Sequence, residues 1–331
     1  MDRVMYTVDE VKELIREHKT LMLAAAEPVL RSLPTGNWIG GTTPYFMGDE
    51  GGCFDEQRLL VKVIPDTLAT SIALYDETTL PSIALDAPEN GCSVVIIPSG
   101  CTVHRRYAED ASGYQDMFMK PIVGWIAGTA LAEIGSVSPK VIDGLAGQIS
   151  ENAAVVMHIT LPDHLSAQVN IVNIFTQGDG DVLSFPQTGF QINDCFVNGK
   201  RTAFASYLKE NTIDLRFPLV ANYHGAMINT SFQVVDEAGG TVHCFAPVFS
   251  GIEYRLAQPV SDYASAFAAA MPESAKDAAF ACNCILNYNY GELEGKQIGL
   301  KGPITFGEIA YQLVNQTLVY VTIEAHGQAV A

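Results

Sequence analysis

Two cysteines two positions apart, Cys282 and Cys284, are the first candidates for chemistry. On a strand they project to the same side. A nucleophilic thiolate needs a histidine or another cation beside it. No histidine is local: His224, His243 and His326 are distant in sequence. The competing reading is two small buried apolar side chains, the usual state of free cysteine. A zinc site would ask for C-x₂₋₄-C or H-x₃₋₅-H spacing, and none accompanies this C-x-C.

A second set of residues suits binding rather than catalysis. Asn287, Tyr288 and Glu292 lie in a stretch dense in amides, phenols and carboxylates. Glu308 follows between Gly307 and Ile309, and Asn315 stands a few residues on. Glu308 is either an exposed loop carboxylate or a pocket carboxylate for a ligand ammonium. Asn315 is either a turn residue or a ligand donor. Trp38, Gly40, Gly41 and Thr42 supply a facing wall, because paired glycines let a backbone or a ligand come close. The same glycines fit a plain turn or bulge, and a lone tryptophan fits a core. Arg105 and Arg106 form either a seat for a carboxylate or phosphate, or a solvated face. Asp179 and Asp181 lack the rest of a calcium loop and read as a turn. The phosphate-binding glycine motifs and Gly-x-Ser-x-Gly are missing, which favours a binding module over a nucleotide enzyme or hydrolase.

The elements that must position these residues can be read along the chain. Thr7 and Glu10 form a capping box, and apolar spacing predicts a helix over 8–18. Strands are expected at 21–25, 37–42, 57–64, 68–75 and 93–97, with a helical turn at Glu27-Pro28. Helix with interruptions is expected over 125–145, then strands at 154–160 and 167–176. Asn198-Gly199 predicts a hairpin, with Thr202 capping a short helix that ends near Glu210. Residues 215–257 read as antiparallel sheet and 262–271 as helix. Strands at 279–286 and 317–323 then hold a polar loop, Asn287–Gly295, between them.

The run from the cysteine-containing strand through Gly307-Glu308-Ile309 to Asn315-Gln316-Thr317 and an apolar strand resembles the C-terminal part of FIST domains. PIVGWIAG at 121–128 and the small, glycine-rich strand end at 40–42 are similar to their N-terminal half. The resemblance implies a ligand-sensing module of signal transduction. It implies a small-molecule ligand; the polar density of the 287–295 loop, Gly307 beside Glu308 and the Gly40-Gly41 pair place the expected pocket between that loop, Glu308 and Gly40–Thr42. That family often joins the domain to an output domain; here a separate signalling partner protein is expected. No cofactor is expected, with haem held by a histidine as the alternative. Other function classes left open are a Cys-dependent transferase or hydrolase and an adaptor without ligand.

The whole chain bounds these readings. At 331 residues it can bury a large core or two, and 48% hydrophobic content marks it as globular. A net charge of −18 argues against nucleic acid and anionic membrane surfaces. Apolar runs are too short to span a bilayer, and no signal-peptide core opens the sequence, so a cytoplasmic location is expected. Seven cysteines, odd in number and scattered, do not read as a disulfide framework. The expected fold is mixed α/β (α+β), with two sheet-containing halves, 1–148 and 149–331, packed as layered α/β sandwiches.

Overall fold

The structure, a computed structural model, describes residues 3–65, 68–223 and 225–325. It is mixed α+β and layered. A first sheet runs in the order Met5–Tyr6, Leu59–Ile64, Thr20–Ala25, Trp38–Thr42, Val141–Asp143, Gln148–Ser150. A second runs Gln312–Val314, Glu308–Ala310, Ile122–Ala127, Gly91–Pro98, Ala154–Thr160, Ala69–Tyr75. A third runs Leu165–Val172, Leu318–Ala325, Ala278–Cys284, Gly302–Thr305, Tyr45–Met47, Gly52–Phe54.

One apolar core joins all three sheets. It contains Met22 and Ile39 from the first, Ile96 and Trp125 from the second, and Phe280 and Val321 from the third. The second sheet therefore faces the other two across a shared interior. Alternation along Gly91–Pro98 shows why the strand is apolar on both sides. Val94 and Ile96 enter the shared core, while Val95 and Ile97 pack outward with Val103 and Tyr107 of the helix Thr102–Asp110. On the first sheet's outer face, Val11 and Ile15 of the capped helix Val8–Arg16 cover Leu21 and Leu23. On the third, Phe267 of the helix Tyr263–Ala270 joins Leu318 and Tyr320. The layers are thus helix, sheet, sheet, helix.

A mostly β unit with one short helix, Phe204–Glu210, is inserted between residues 177 and 257, whose chain ends meet in a Gln177–Ala257 bridge. Its own core includes Phe185, Phe204, Phe232 and Tyr254. The hairpin Asp194–Val197/Lys200–Ala203 turns at Asn198 and Gly199, both at positive φ (48° and 81°), as their types require. A three-stranded sheet of this unit, Gly189–Ile192, Thr241–Val248 and Phe232–Asp236, leans over the second sheet.

Three local expectations are corrected. Residues 125–145 are not helical: Ile122–Ala127 is a strand, followed by a single 3₁₀ turn and the strand Val141–Asp143. Its Gly124 lies so close to the neighbouring strand that a Cβ would sit 1.8 Å from the Val95 carbonyl oxygen. The polar stretch after Cys284 is a helix, Ile285–Tyr290, because Ile285, Leu286 and Tyr288 bury one face in the third sheet's outer core. Thr202 belongs to the hairpin strand, and the next helix starts at Phe204 without a side-chain cap. Two sheets also draw strands from both sides of residue 148: Glu308–Ala310 pairs with Ile122–Ala127, and Gly302–Thr305 with Tyr45–Met47. Among the described residues no helix is long and apolar enough to cross a membrane.

Candidate functional site

Strand register decides the setting of Glu308. It pairs with Trp125 on one side and Val314 on the other, which points its side chain into the shared core. It is 0% exposed. Thr317 donates to Oε2 from its backbone N–H (3.2 Å) and from its hydroxyl (2.7 Å), while Oε1 has no partner. Burial pushes the carboxyl up to about 8; contacts with Thr317, Cys284 and Thr305 only partly offset it. At neutral pH the group is therefore a neutral acid, able to donate as well as accept.

Several predicted residues gather here. Asn283 Oδ1 accepts from the Cys284 N–H (2.8 Å) and from Asn287 Nδ2 (2.9 Å), and Asn287 Nδ2 also donates to the Thr317 carbonyl (3.3 Å). Asn315 is fully buried two residues before Thr317. Asn283 Nδ2, Asn287 Oδ1 and Asn315 Oδ1 lack partners, as Glu308 Oε1 does. Cys282 and Cys284 lie in the same interior. Burial, then the adjacent Glu308, hold both thiols well above their ordinary value. Cys282 donates to the Gly124 carbonyl at 3.2 Å. Neither cysteine is an accessible thiolate, and the Cys-dependent reading loses its nucleophile. Of the distant histidines, His224 and His326 lie outside the described residues.

The other predicted residues do not join this group. Trp38 is held in the first sheet's outer core, donating from Nε1 to the Pro34 carbonyl (3.0 Å). Gly40 and Gly41 admit neighbours from the protein itself. A Cβ on Gly40 would meet Leu30 and Trp38, and one on Gly41 would meet Ile96 and Trp125. Packing, not ligand access, accounts for this glycine pair. Thr42 donates to the Gly128 carbonyl (2.8 Å) and accepts from the Lys140 N–H (2.9 Å), tying the first sheet to the second. Tyr288 packs against Tyr45 with its hydroxyl unpartnered, and Glu292 is exposed. The pocket expected between Gly40–Thr42, Glu308 and the 287–295 segment is thus not one space.

An open cleft of about 1170 Å³ lies elsewhere. Its floor is the C-terminal end of two parallel strands, Gly91–Pro98 and Ile122–Ala127, and the start of the helix Thr102–Asp110. Open α/β sheets commonly bind ligands at such strand ends. The inserted three-stranded sheet forms the opposite wall. Phe190, Phe245 and Phe306, all half-buried, face it from three separate segments, beside His104, Arg105 and His243. Gly128 seats Phe306 closely, since a Cβ there would come 2.3 Å from the ring. In the sequence, Arg105, read as a carboxylate or phosphate seat or a solvated face, and His243 pointed here; the three phenylalanines carried no such signal.

The polar groups of the cleft have defined states. His104 Nδ1 accepts the Gly100 N–H at 3.1 Å, which assigns the ring proton to Nε2, an atom with no partner. Burial and then Arg105 hold this imidazole down to about 4, so it stays neutral. Cys101 Sγ donates to the Pro98 carbonyl (3.1 Å) and accepts the His104 N–H (3.3 Å); burial raises its pKa. The first two amides of the helix donate to Asn152 Oδ1 at 3.0 and 3.4 Å. Among the described residues, no group of three or more His, Cys, Asp or Glu side chains is placed to hold a metal ion.

A family of unknown function, DUF6976, matches residues 6–324. The chain belongs to that family. The comparison with curated proteins returned no match.

Proposed function

We propose that this is a cytoplasmic small-molecule-binding sensory protein that signals through a separate partner protein. Its ligand occupies the cleft at the ends of Gly91–Pro98 and Ile122–Ala127. The observation that carries the reading is the cleft's construction. Three half-buried phenylalanines from distant segments line an open cleft of about 1170 Å³, roomy enough for an organic ligand. The resemblance of the sequence to FIST domains supports the sensory role, and the net charge of −18 supports a soluble setting away from polyanions.

A thermal-shift screen of small organic molecules tests it. A ligand at a hundredfold its Kd adds about 2.7 kcal/mol of stability, and the shift disappears in Thr129→Trp, which fills the cleft from its floor. A screen in which every stabilising compound acts equally on Thr129→Trp would place binding elsewhere. Turnover of a hit would move the protein to an enzyme class. A stoichiometric Soret band on haem addition, lost in His243→Ala, would make it a haem sensor.

A further inference from the structure

The charge lining the cleft narrows the ligand class; this step rests on the cleft being the ligand site. The chain has 37 acidic residues against 19 basic ones, and its arginines are almost all taken. Seven of the nine form ion pairs with carboxylates, and Arg255 donates to the Gly180 carbonyl. Arg105 is the exception. It is exposed, it lines the cleft, and among the described residues its guanidinium has no hydrogen-bond or ion-pair partner. Glu109, one helical turn along, stays beyond ion-pair distance.

His104 is 9% exposed, lines the same cleft, and leaves its Nε2–H donor unpartnered, with its ring 5.9 Å from that of Phe190. A buried donor without an acceptor is costly; this nitrogen is enclosed by the protein, so the exposed donor of the cleft is Arg105. The apolar part of the wall carries three aromatic rings, Phe190, Phe245 and Phe306, beside Ile134, Val137 and Pro139.

We propose that the cleft takes a small aromatic carboxylate, with its carboxylate on Arg105 and its ring among Phe190, Phe245 and Phe306. A guanidinium matches a carboxylate with two parallel N–H bonds, and aromatic faces accept a flat ring. A single negative charge fits better than a phosphate dianion for three reasons. No lysine lines the cleft, Glu109 and Glu151 stand on its rim, and the first helical amides are already engaged by Asn152.

Three probes of one shape decide this: 2-naphthoate, 2-naphthamide and 2-naphthylmethylamine, titrated calorimetrically against the full chain at pH 7. Naphthoate should bind about tenfold or more tightly than the amide, as a charge-assisted hydrogen bond gives, and should weaken as salt rises. Arg105→Gln should remove that advantage and leave the amide unchanged, while Arg105→Lys restores part of it. Arg105 is exposed, so thermal unfolding of both variants should match the wild type. Equal binding of naphthoate and naphthamide, tighter binding of the amine, or an unchanged naphthoate affinity in Arg105→Gln would overturn the proposal. In those cases, loss of probe binding in Thr129→Trp would still leave the cleft as the ligand site. If none of the three binds, the aromatic carboxylate class is wrong, and the broader screen alone decides whether the cleft binds anything.

Discussion

Glu308 shows how far one residue's setting can depart from its type. A glutamate in water ionises near 4.5; in this core the value is about 8. The consequence for stability has a definite sign. Below the unfolded value both states carry the proton. Between about 4.5 and 8 the unfolded chain releases it while the folded one holds it, so stability falls as pH rises through that window and levels off above it. The loss is on the order of 4 kcal/mol. Glu308→Gln keeps an acceptor for Thr317 and removes the titration. Urea denaturation should therefore show the variant gaining on the wild type by several kcal/mol between pH 5 and pH 8.5. Parallel stability curves would mean that the buried carboxyl does not hold its proton. The unpartnered amide atoms of Asn283, Asn287 and Asn315 sit in the same interior. The polar set read from the sequence is mainly an internal network.

At the scale of the element, the strand Ile122–Ala127 matters most. It pairs in parallel with Gly91–Pro98 on one side and antiparallel with Glu308–Ala310 on the other. It thereby aligns the cleft floor and the buried carboxyl at once. Gly124 is the position that permits the spacing, because the obstacle to a side chain there is the Val95 backbone, which cannot rotate away. Gly124→Ala should cost about 3 kcal/mol, the upper range for overpacking. Gly113→Ala, with open space around it, should stay within about 1 kcal/mol of the wild type. Equal stabilities of the two variants in denaturant titrations would show that the parallel pair can spread without penalty. Helix Ile285–Tyr290 makes a complementary point. Its residues Asn287, Tyr288 and Asn289 have loop-like polarity, but Ile285, Leu286 and Tyr288 cover an apolar sheet face, and that burial outweighs their weak helix propensity.

For the whole molecule, the strand order interlocks the chain. The second sheet takes strands from residues 69–127, from Ala154–Thr160 and from 308–314. The C-terminal strand Leu318–Ala325 lies inside the third sheet, between Leu165–Val172 and Ala278–Cys284. A fragment of residues 1–148 would lack Ala154–Thr160 from between two strands of the second sheet, and Phe280 and Val321 from the shared core. It should show no cooperative thermal transition by circular dichroism, whereas the full chain should. A fragment that melts cooperatively would establish the N-terminal half as an independent folding unit.

What the sequence determined by itself is the set of features whose cause is local. The capping box at Thr7 and Glu10 needs only four residues, and the Asn198-Gly199 turn needs only two that tolerate positive φ. The strands at Ala154–Thr160 and Gly91–Pro98 announce themselves through continuous apolar runs, and from these the mixed, layered α/β class follows. Partners distant in the chain lie beyond that reach. Whether Gly41 opens to a ligand or to Trp125 depends on which sheet lies across from it. Whether Glu308 is solvated depends on the register of its strand against Ile122–Ala127. The cleft unites His104 with Phe190, Phe245 and Phe306, and only packing of the inserted unit against the second sheet brings them to one place. Burial and proximity are properties of the folded contacts, so the tertiary structure alone decided where this protein's polar core ends and its open cleft begins.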